Sequence, residues 1–146
     1  MIGNPLPIYG DGLQLRDWLF VEDHCSAICR LMEKGTLGET YNIGGWNEMT
    51  NLKVVQTLCS ILDKLTPRSD GKSYSSQITY VTDRPGHDRR YAIDASKIER
   101  ELGWRPAETF ESGIQKTVEW YISNQDWVEN VTSGVYKDWV NKQYGE

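Results

Sequence analysis

Cysteine and histidine are scarce in this 146-residue chain, and the scarcity excludes several chemistries. The three cysteines, Cys25, Cys29 and Cys59, are odd in number. Cys25 and Cys29 stand four apart in a stretch that reads as helix, a spacing poorly matched to a disulfide, so reduced thiols and a cytoplasmic location are expected. The two histidines, His24 and His87, lie far apart and no CxxC is present, so no structural zinc site and no metal are expected. No serine occupies a G-x-S-x-G elbow and the cysteines fall on apparent helix faces, which leaves no hydrolytic nucleophile. Gly10-Asp11-Gly12 has no third glycine and no following helix, and Gly44-Gly45 lacks one too; neither a dinucleotide fingerprint nor a P-loop is present.

Long apolar runs are also missing. No segment approaches the ~18–20 apolar residues that span a bilayer, and Met1-Ile-Gly-Asn-Pro-Leu-Pro7 does not combine a basic stretch with an apolar one. No membrane association or secretion is expected, and Asn130-Val131-Thr132 reads as a chance sequon. Positive charge is outweighed: 16 Lys and Arg stand against 21 Asp and Glu, a net charge of −5. That balance argues against a general nucleic-acid binder, which needs an extended basic field.

What is present fits one α/β unit, with six Trp and eight Tyr suggesting an aromatic-rich core. Pro5, Pro7, Gly10 and Gly12 punctuate an extended start, and Asp17-Trp18-Leu19-Phe20-Val21 reads as a strand. Glu22 and Asp23 precede a helix through Met32, with Ala27, Ile28, Leu31 and Met32 on one face and Gly35 placed to stop it. Thr40-Tyr41-Asn42-Ile43 reads as a short strand closed by Gly44-Gly45. Asn51 is a candidate N-cap for a helix carrying Val54, Val55, Leu58, Ile61 and Leu62. Pro67 to Ser76 reads as a polar loop, and Ile78-Thr79-Tyr80-Val81 as a strand. Asp94 and Thr109 are candidate caps for two further helices, the first ended by Gly103 and the second turning Ile114, Val118, Tyr121 and Ile122 inward. Val128, Tyr136, Trp139, Val140 and Tyr144 suggest one or two short helices in the tail.

The strand at 78–81 delivers the densest positive charge in the chain. Residues 81–94 place Arg84, Arg89, Arg90 and His87 around a Pro85-Gly86 turn. Arginine suits phosphate because its fork donates two parallel hydrogen bonds and keeps its charge at ordinary pH. The competing reading pairs these arginines with Asp83, Asp88 and Asp94 as a solvated charge run, and composition alone leaves the two even. Arg16 and Asn51 have the same double reading: ligands for a polar molecule, or an ion-pair partner of Asp17 or Asp23 and a simple helix cap.

Several blocks together resemble a known family: Leu6-Pro7-Ile8-Tyr9-Gly10, Arg16 through His24, Gly38 through Gly45, Asp83 through Asp94, and Leu102-Gly103-Trp104. In order and spacing they resemble the C-terminal part of the dTDP-glucose 4,6-dehydratases, which are extended short-chain dehydrogenases/reductases. The resemblance implies a mixed α/β substrate-binding lobe over residues 1–146 that lacks most of the N-terminal Rossmann domain. The segment 20–45 would normally pack with that domain. Cut away from it, Ile28, Leu31 and Ile43 would be partly uncovered, which implies a complementary NAD-binding chain or self-association.

The resemblance further implies that Pro7, Ile8 and Tyr9 lie along a thymine base. Arg16, Asn51 and Arg84 would hold the nucleotide and its diphosphate, Asp83, Pro85, Gly86 and His87 would complete the block, and Tyr144 would make a further contact with a dTDP-sugar. The family reaction oxidises the glucose C4 hydroxyl with NAD, eliminates water across C5 and C6, and returns the hydride to C6 of what becomes a 4-keto-6-deoxy sugar. It needs a Tyr-x-x-x-Lys pair, and no tyrosine here has a lysine four residues on. The chain is therefore expected to bind substrate, to hold no NAD and to be inactive alone. A stand-alone nucleotide-sugar-binding or regulatory module, or a folded gene remnant, is the alternative.

Overall fold

The computed structural model describes residues 3–134. Five short strands and five helices form a mixed α/β arrangement in which the strands gather the polar loops and the helices supply the cores. Strand β1 (Leu6–Tyr9) pairs in parallel with β4 (Ile78–Val81), setting Ile8 opposite Tyr80 and Tyr9 opposite Val81. Strand β2 (Leu15–Asp17) is the centre of a second sheet, antiparallel to β3 (Glu48–Thr50) and parallel to β5 (Arg90–Tyr91). Its register puts Arg16 between Met49 and Tyr91.

The strand expected at 17–21 lies further back. Only Asp17 belongs to β2; Trp18 turns away, its N–H donating to the Asn47 carbonyl at 3.1 Å, and α1 (Val21–Lys34) begins where the strand was expected to end. Glu22 and Asp23 in the first turn and Lys34 in the last complement the helix dipole. Gly35 ends the helix in an extended conformation, so its lack of a side chain matters sterically: a Cβ there would stand 2.5 Å from the Leu31 carbonyl oxygen.

The expected apolar face of α1 is split. Ala27 is fully buried and Leu31 packs beside it, whereas Ile28 and Met32 face outward with Val21. At 100° per residue, 21, 28 and 32 share one stripe and 27 and 31 another. Leu31 and Ile43, expected to be partly uncovered, are half-buried against the cluster of Ala27, Ala95, Ile98 and Trp104, and Ile28 is exposed. Residues 40–43 form no strand, because no other segment of the described chain lies alongside to complete a ladder. Side chains hold them instead: the Tyr41 hydroxyl donates to Glu101 at 3.0 Å and the Asn42 amide to the Asp94 carbonyl at 3.2 Å.

Helix α2 (Asn51–Leu65) is capped by Thr50, whose Oγ1 accepts from the Lys53 N–H at 3.2 Å. Asn51 is thus the first helical residue and not the cap, because the hydroxyl one position earlier already fills that role. Val54 and Cys59 are buried, and Val55, Leu58, Ile61 and Leu62 half-buried, beneath α4 (Phe110–Ser123). Residues 67–76 are not entirely loop: a 3-10 turn (Tyr74–Gln77) buries Tyr74, whose hydroxyl donates to the Thr66 carbonyl at 2.9 Å.

Helix α3 (Ser96–Leu102) has Ala95 at its cap position, while Asp94, one residue earlier than a true cap, accepts from the Ser96 N–H at 2.9 Å. Gly103 ends α3 in the left-handed region at φ 64°, as its position implied. Thr109 caps α4 through a reciprocal box with Ser112. Val118 turns inward, but Tyr121 is exposed, grouped edge-on with Trp120 and with Trp127 of α5 (Gln125–Thr132). The core is less aromatic than composition suggested: Tyr74, Trp104 and Phe110 are buried, while Trp18, Trp46, Trp120 and Trp127 are exposed. Tyr136, Trp139, Val140 and Tyr144 lie outside the described residues.

Candidate functional site

The two sheets bring the separated motifs to one region. Pro7, Ile8 and Tyr9 form β1 alongside β4, and β4 runs into the turn that carries Asp83, Arg84, Pro85, Gly86 and His87. The same turn leads into β5, which pairs with β2 and so with Arg16. Asn51 follows Thr50, the register partner of Leu15, and its N–H donates to the Gln14 carbonyl at 3.1 Å. Tyr144 lies outside the described residues.

The ion pairs with Asp17 or Asp23 that one reading gave Arg16 do not form. Both carboxylate oxygens of Asp17 are occupied, accepting from the Gly45 N–H at 2.7 Å and the Asn47 N–H at 2.8 Å. Asp23 is buried and accepts from the Ala107 and Glu108 N–H groups at 2.9 and 3.0 Å. Arg16 instead donates to the carbonyls of Leu15 and Asp88 and lays its guanidinium over the Tyr91 ring, 4.7 Å from the centroid. Its positive charge has no carboxylate partner among the described residues.

The three arginines of the turn divide. Arg89 donates to both oxygens of Asp11, at 2.8 and 2.9 Å, and Arg90 makes a two-pronged pair with Glu48 at 2.9 and 2.7 Å. For these two the structural role holds, although the partners are Asp11 and Glu48 and not the nearby aspartates. Arg84 has no side-chain hydrogen bond or ion pair among the described residues. Its charge and that of Arg16 both act on the Tyr91 phenol, favouring the phenolate. The hydrogen bond from Tyr91 to Asp88 outweighs them and pushes that phenol above its ordinary value. Arg16 thus stacks on Tyr91, and the charge of Arg84 reaches the same phenol from the turn that leads into β5.

Behind them, Asp83 pairs with the His87 Nδ1 at 2.7 Å and accepts from the Arg84 N–H at 2.9 Å. The His87 hydrogen bond is the chief reason the Asp83 carboxyl sits below the usual carboxylate range. The Asn51 side chain makes no hydrogen bond to the described residues. Two guanidiniums, a free amide and a carboxylate-held imidazole are a donor set suited to an anion rich in oxygen acceptors.

The glycines do not form a dinucleotide cradle. A Cβ on Gly10 would meet the Asp83 carboxylate at 2.7 Å, and one on Gly12 would meet Ile8 at 2.6 Å. The space that a pyrophosphate would need against this turn is filled by an anionic side chain and by the chain's own core, so the residues here do not fit NAD. Two concavities, of about 530 and 740 Å³, lie elsewhere, against Thr66, Arg68 and Tyr74 and between α1 and residues 103–108; neither contains Arg16, Asn51 or Arg84. The candidate site is an open surface. Among the described residues no group of three His, Cys, Asp or Glu is placed to hold a metal, and no helix is long and apolar enough to cross a membrane.

Sequence reasoning missed two residues here. Tyr91 was passed over because its partner in space, Arg16, is distant in sequence. Gln14, almost fully buried, stands between Leu13 and Leu15; a lone amide in an apolar stretch is the signal that marks it.

Residues 2–117 match the family model described as GDP-mannose 4,6 dehydratase, and the chain belongs to that family. It is 63% identical over 142 residues to a dTDP-glucose 4,6-dehydratase of Shigella flexneri, covering 97% of this chain and 39% of that protein. A crystal structure of dTDP-glucose 4,6-dehydratase from Bacillus anthracis in complex with NAD superposes with a TM-score of 0.73 at 52% identity, over 86% of this chain and 37% of that one. UDP-glucose 4-epimerase from Thermotoga maritima, solved with UDP-glucose, matches at 0.72 and 30% identity, over 84% of this chain and 36% of that one. The resemblance to dTDP-glucose 4,6-dehydratases is thus borne out, and the chain spans about two fifths of the length of the curated relatives it matches.

Proposed function

We propose that the chain is the C-terminal, substrate-binding part of a dTDP-glucose 4,6-dehydratase and holds the nucleotide diphosphate of a dTDP-sugar through Arg16, Asn51 and Arg84. The observation that carries this reading is that the guanidiniums of Arg16, on β2, and of Arg84, on the turn that leads into the neighbouring β5, have no carboxylate partner among the described residues. Charge held without a partner favours an anionic ligand, and two forks match the geometry of a diphosphate. Pro7, Ile8 and Tyr9 on β1 offer the base a main-chain edge.

An NAD-binding N-terminal part would need a glycine fingerprint, a Tyr-x-x-x-Lys pair and a several-stranded parallel sheet. The sequence contains neither motif, and the described strands form only a two-stranded and a three-stranded sheet. These features favour the C-terminal assignment. On this reading the oxidation at C4, the elimination of water across C5 and C6 and the return of hydride to C6 require a complementary NAD-binding portion, and this chain supplies the hold on the substrate.

The outward stripe of Val21, Ile28 and Met32 on α1 is the surface offered to that portion or, without it, to a second copy. Calorimetric titration with dTDP tests the reading. Heat is expected from the wild-type chain and its loss from Arg84→Ala; no heat from the wild type overturns it. Dehydration of dTDP-glucose is expected only after an NAD-binding portion is added.

A further inference from the structure

Gln14 is 2% exposed, one of two polar or charged residues buried among the described residues. Its Nε2 donates to Asp83 Oδ2 at 3.1 Å and toward the Tyr9 carbonyl at 3.4 Å, and its main-chain carbonyl accepts from the Asn51 N–H at 3.1 Å. One residue thereby touches three segments of the candidate site: the end of β1, the start of α2 and the turn at 83–87.

The cost of this arrangement is visible. Gln14 Oε1 is buried and receives no hydrogen bond, a loss that an apolar side chain of the same length would remove. Turning the amide over would set Oε1 against the Asp83 carboxylate and the Tyr9 carbonyl, two acceptors, so the nitrogen must face them. Fold stability does not explain a buried amide with an orphaned oxygen. Its hold on Asp83 does, because Asp83 in turn fixes the His87 imidazole, whose side chain is only 6% exposed, and accepts from the Arg84 main chain.

We propose that Gln14 is a positioning residue for the nucleotide site: by holding Asp83 it sets His87 and Arg84 at the distance from Asn51 that a nucleoside diphosphate requires. The inference rests on the reading of the site as diphosphate-binding.

The test compares the wild type with Gln14→Met, Gln14→Glu and Arg84→Ala, by dTDP titration, thermal unfolding and NMR of the His87 ring. Gln14→Met is expected to unfold at the wild-type temperature or above it, to bind dTDP about tenfold more weakly, and to shift the His87 ring signals. Gln14→Glu sets a carboxyl against Asp83, with His87 and Arg89 the other charged groups nearby. At pH 8 the two carboxylates repel and dTDP binding is weakened; near pH 5 the raised pKa of the pair lets a shared proton replace the amide hydrogen, and affinity returns toward that of the wild type at the same pH. Unmoved His87 signals in Gln14→Met, a lower unfolding temperature, or a Gln14→Glu deficit equal at both pH values would overturn the proposal. Should wild type give no heat with dTDP, the nucleotide reading falls, and the ligand-free His87 spectra still decide whether Gln14 positions the turn. Arg84→Ala separates the two, since it removes binding without moving His87.

Discussion

Asp17 accepts the Gly45 N–H at 2.7 Å and the Asn47 N–H at 2.8 Å, while its neighbour Arg16 makes no ion pair with it. Successive residues of a strand point to opposite faces, so one side chain ties down the Gly44-Gly45 turn while the next carries an unneutralised charge into the candidate site. Structural and functional roles are thus divided between adjacent positions of one three-residue strand.

That division is measurable. Asp17→Asn keeps the size but loses an acceptor, and is expected to lower stability by about 1–3 kcal/mol in urea unfolding by stranding a part-buried N–H. Gly45→Ala is expected to be at least as damaging, because its Cβ would stand 2.1 Å from the Trp18 carbonyl oxygen, a backbone atom. If Asp17→Asn unfolds like the wild type, Asp17 does not anchor the turn.

Among the turn arginines the expected order follows from their partners. Arg84→Ala should abolish measurable dTDP binding, a weakening of at least about ten- to a hundredfold, the effect of removing charge-assisted hydrogen bonds. Arg89→Ala and Arg90→Ala, which break exposed pairs with Asp11 and Glu48, should change it by less than about threefold. Calorimetry on the three variants checks the order, and equal losses would contradict it.

Much of this was legible in sequence and some was not, for definite reasons. Gly103 and Thr109 acted as their types predict because helix ends are local decisions. Asn51 was displaced from the cap by Thr50, a competition between adjacent good caps that only the hydrogen bond to Lys53 resolves. The strand expected at 40–43 needs a neighbour, and the described chain provides none, so composition was right and pairing was absent. The blocks carrying Arg16, Asn51 and Arg84 were readable one by one. That they come to one region was not, because it depends on the registers of β2 with β3 and β5.

The cysteines give a reactivity prediction. Cys25 and Cys29 are exposed on α1, while Cys59 is buried and its thiol is pushed up by burial and by the charge of Asp63. Native protein should alkylate at Cys25 and Cys29 and react at Cys59 only on unfolding, as peptide mapping by mass spectrometry can establish.

Acid should loosen the site. Asp83, held low by its bond from His87, Asp11 by Arg89 and Glu48 by Arg90 all have folded pKa values below their ordinary ones. Groups depressed on folding stabilise above their unfolded pKa, about 4, and that contribution is lost as pH falls through the folded values. Thermal midpoints should therefore be flat above about pH 5 and fall below about pH 4; a midpoint that rises on acidification would contradict the pairings.

The outward stripe of α1 predicts association of the chain with itself. Light scattering should show a mass that rises with concentration, and Ile28→Glu with Met32→Lys should hold the chain monomeric. A wild-type monomer at all concentrations would remove this surface as an interface.

The parallel pairing of β1 with β4 joins segments separated by about 70 residues, Leu6 finding its partner only at Ile78. Contacts of that sequence separation close slowly, after helices such as α1 and α2 have formed from neighbours in the chain. Tyr9 and the turn at 83–87 flank this closure, so the proposed nucleotide site is complete only once these distant segments have met. A nucleotide bound there would select the completed chain from its partly folded forms and stabilise it by mass action.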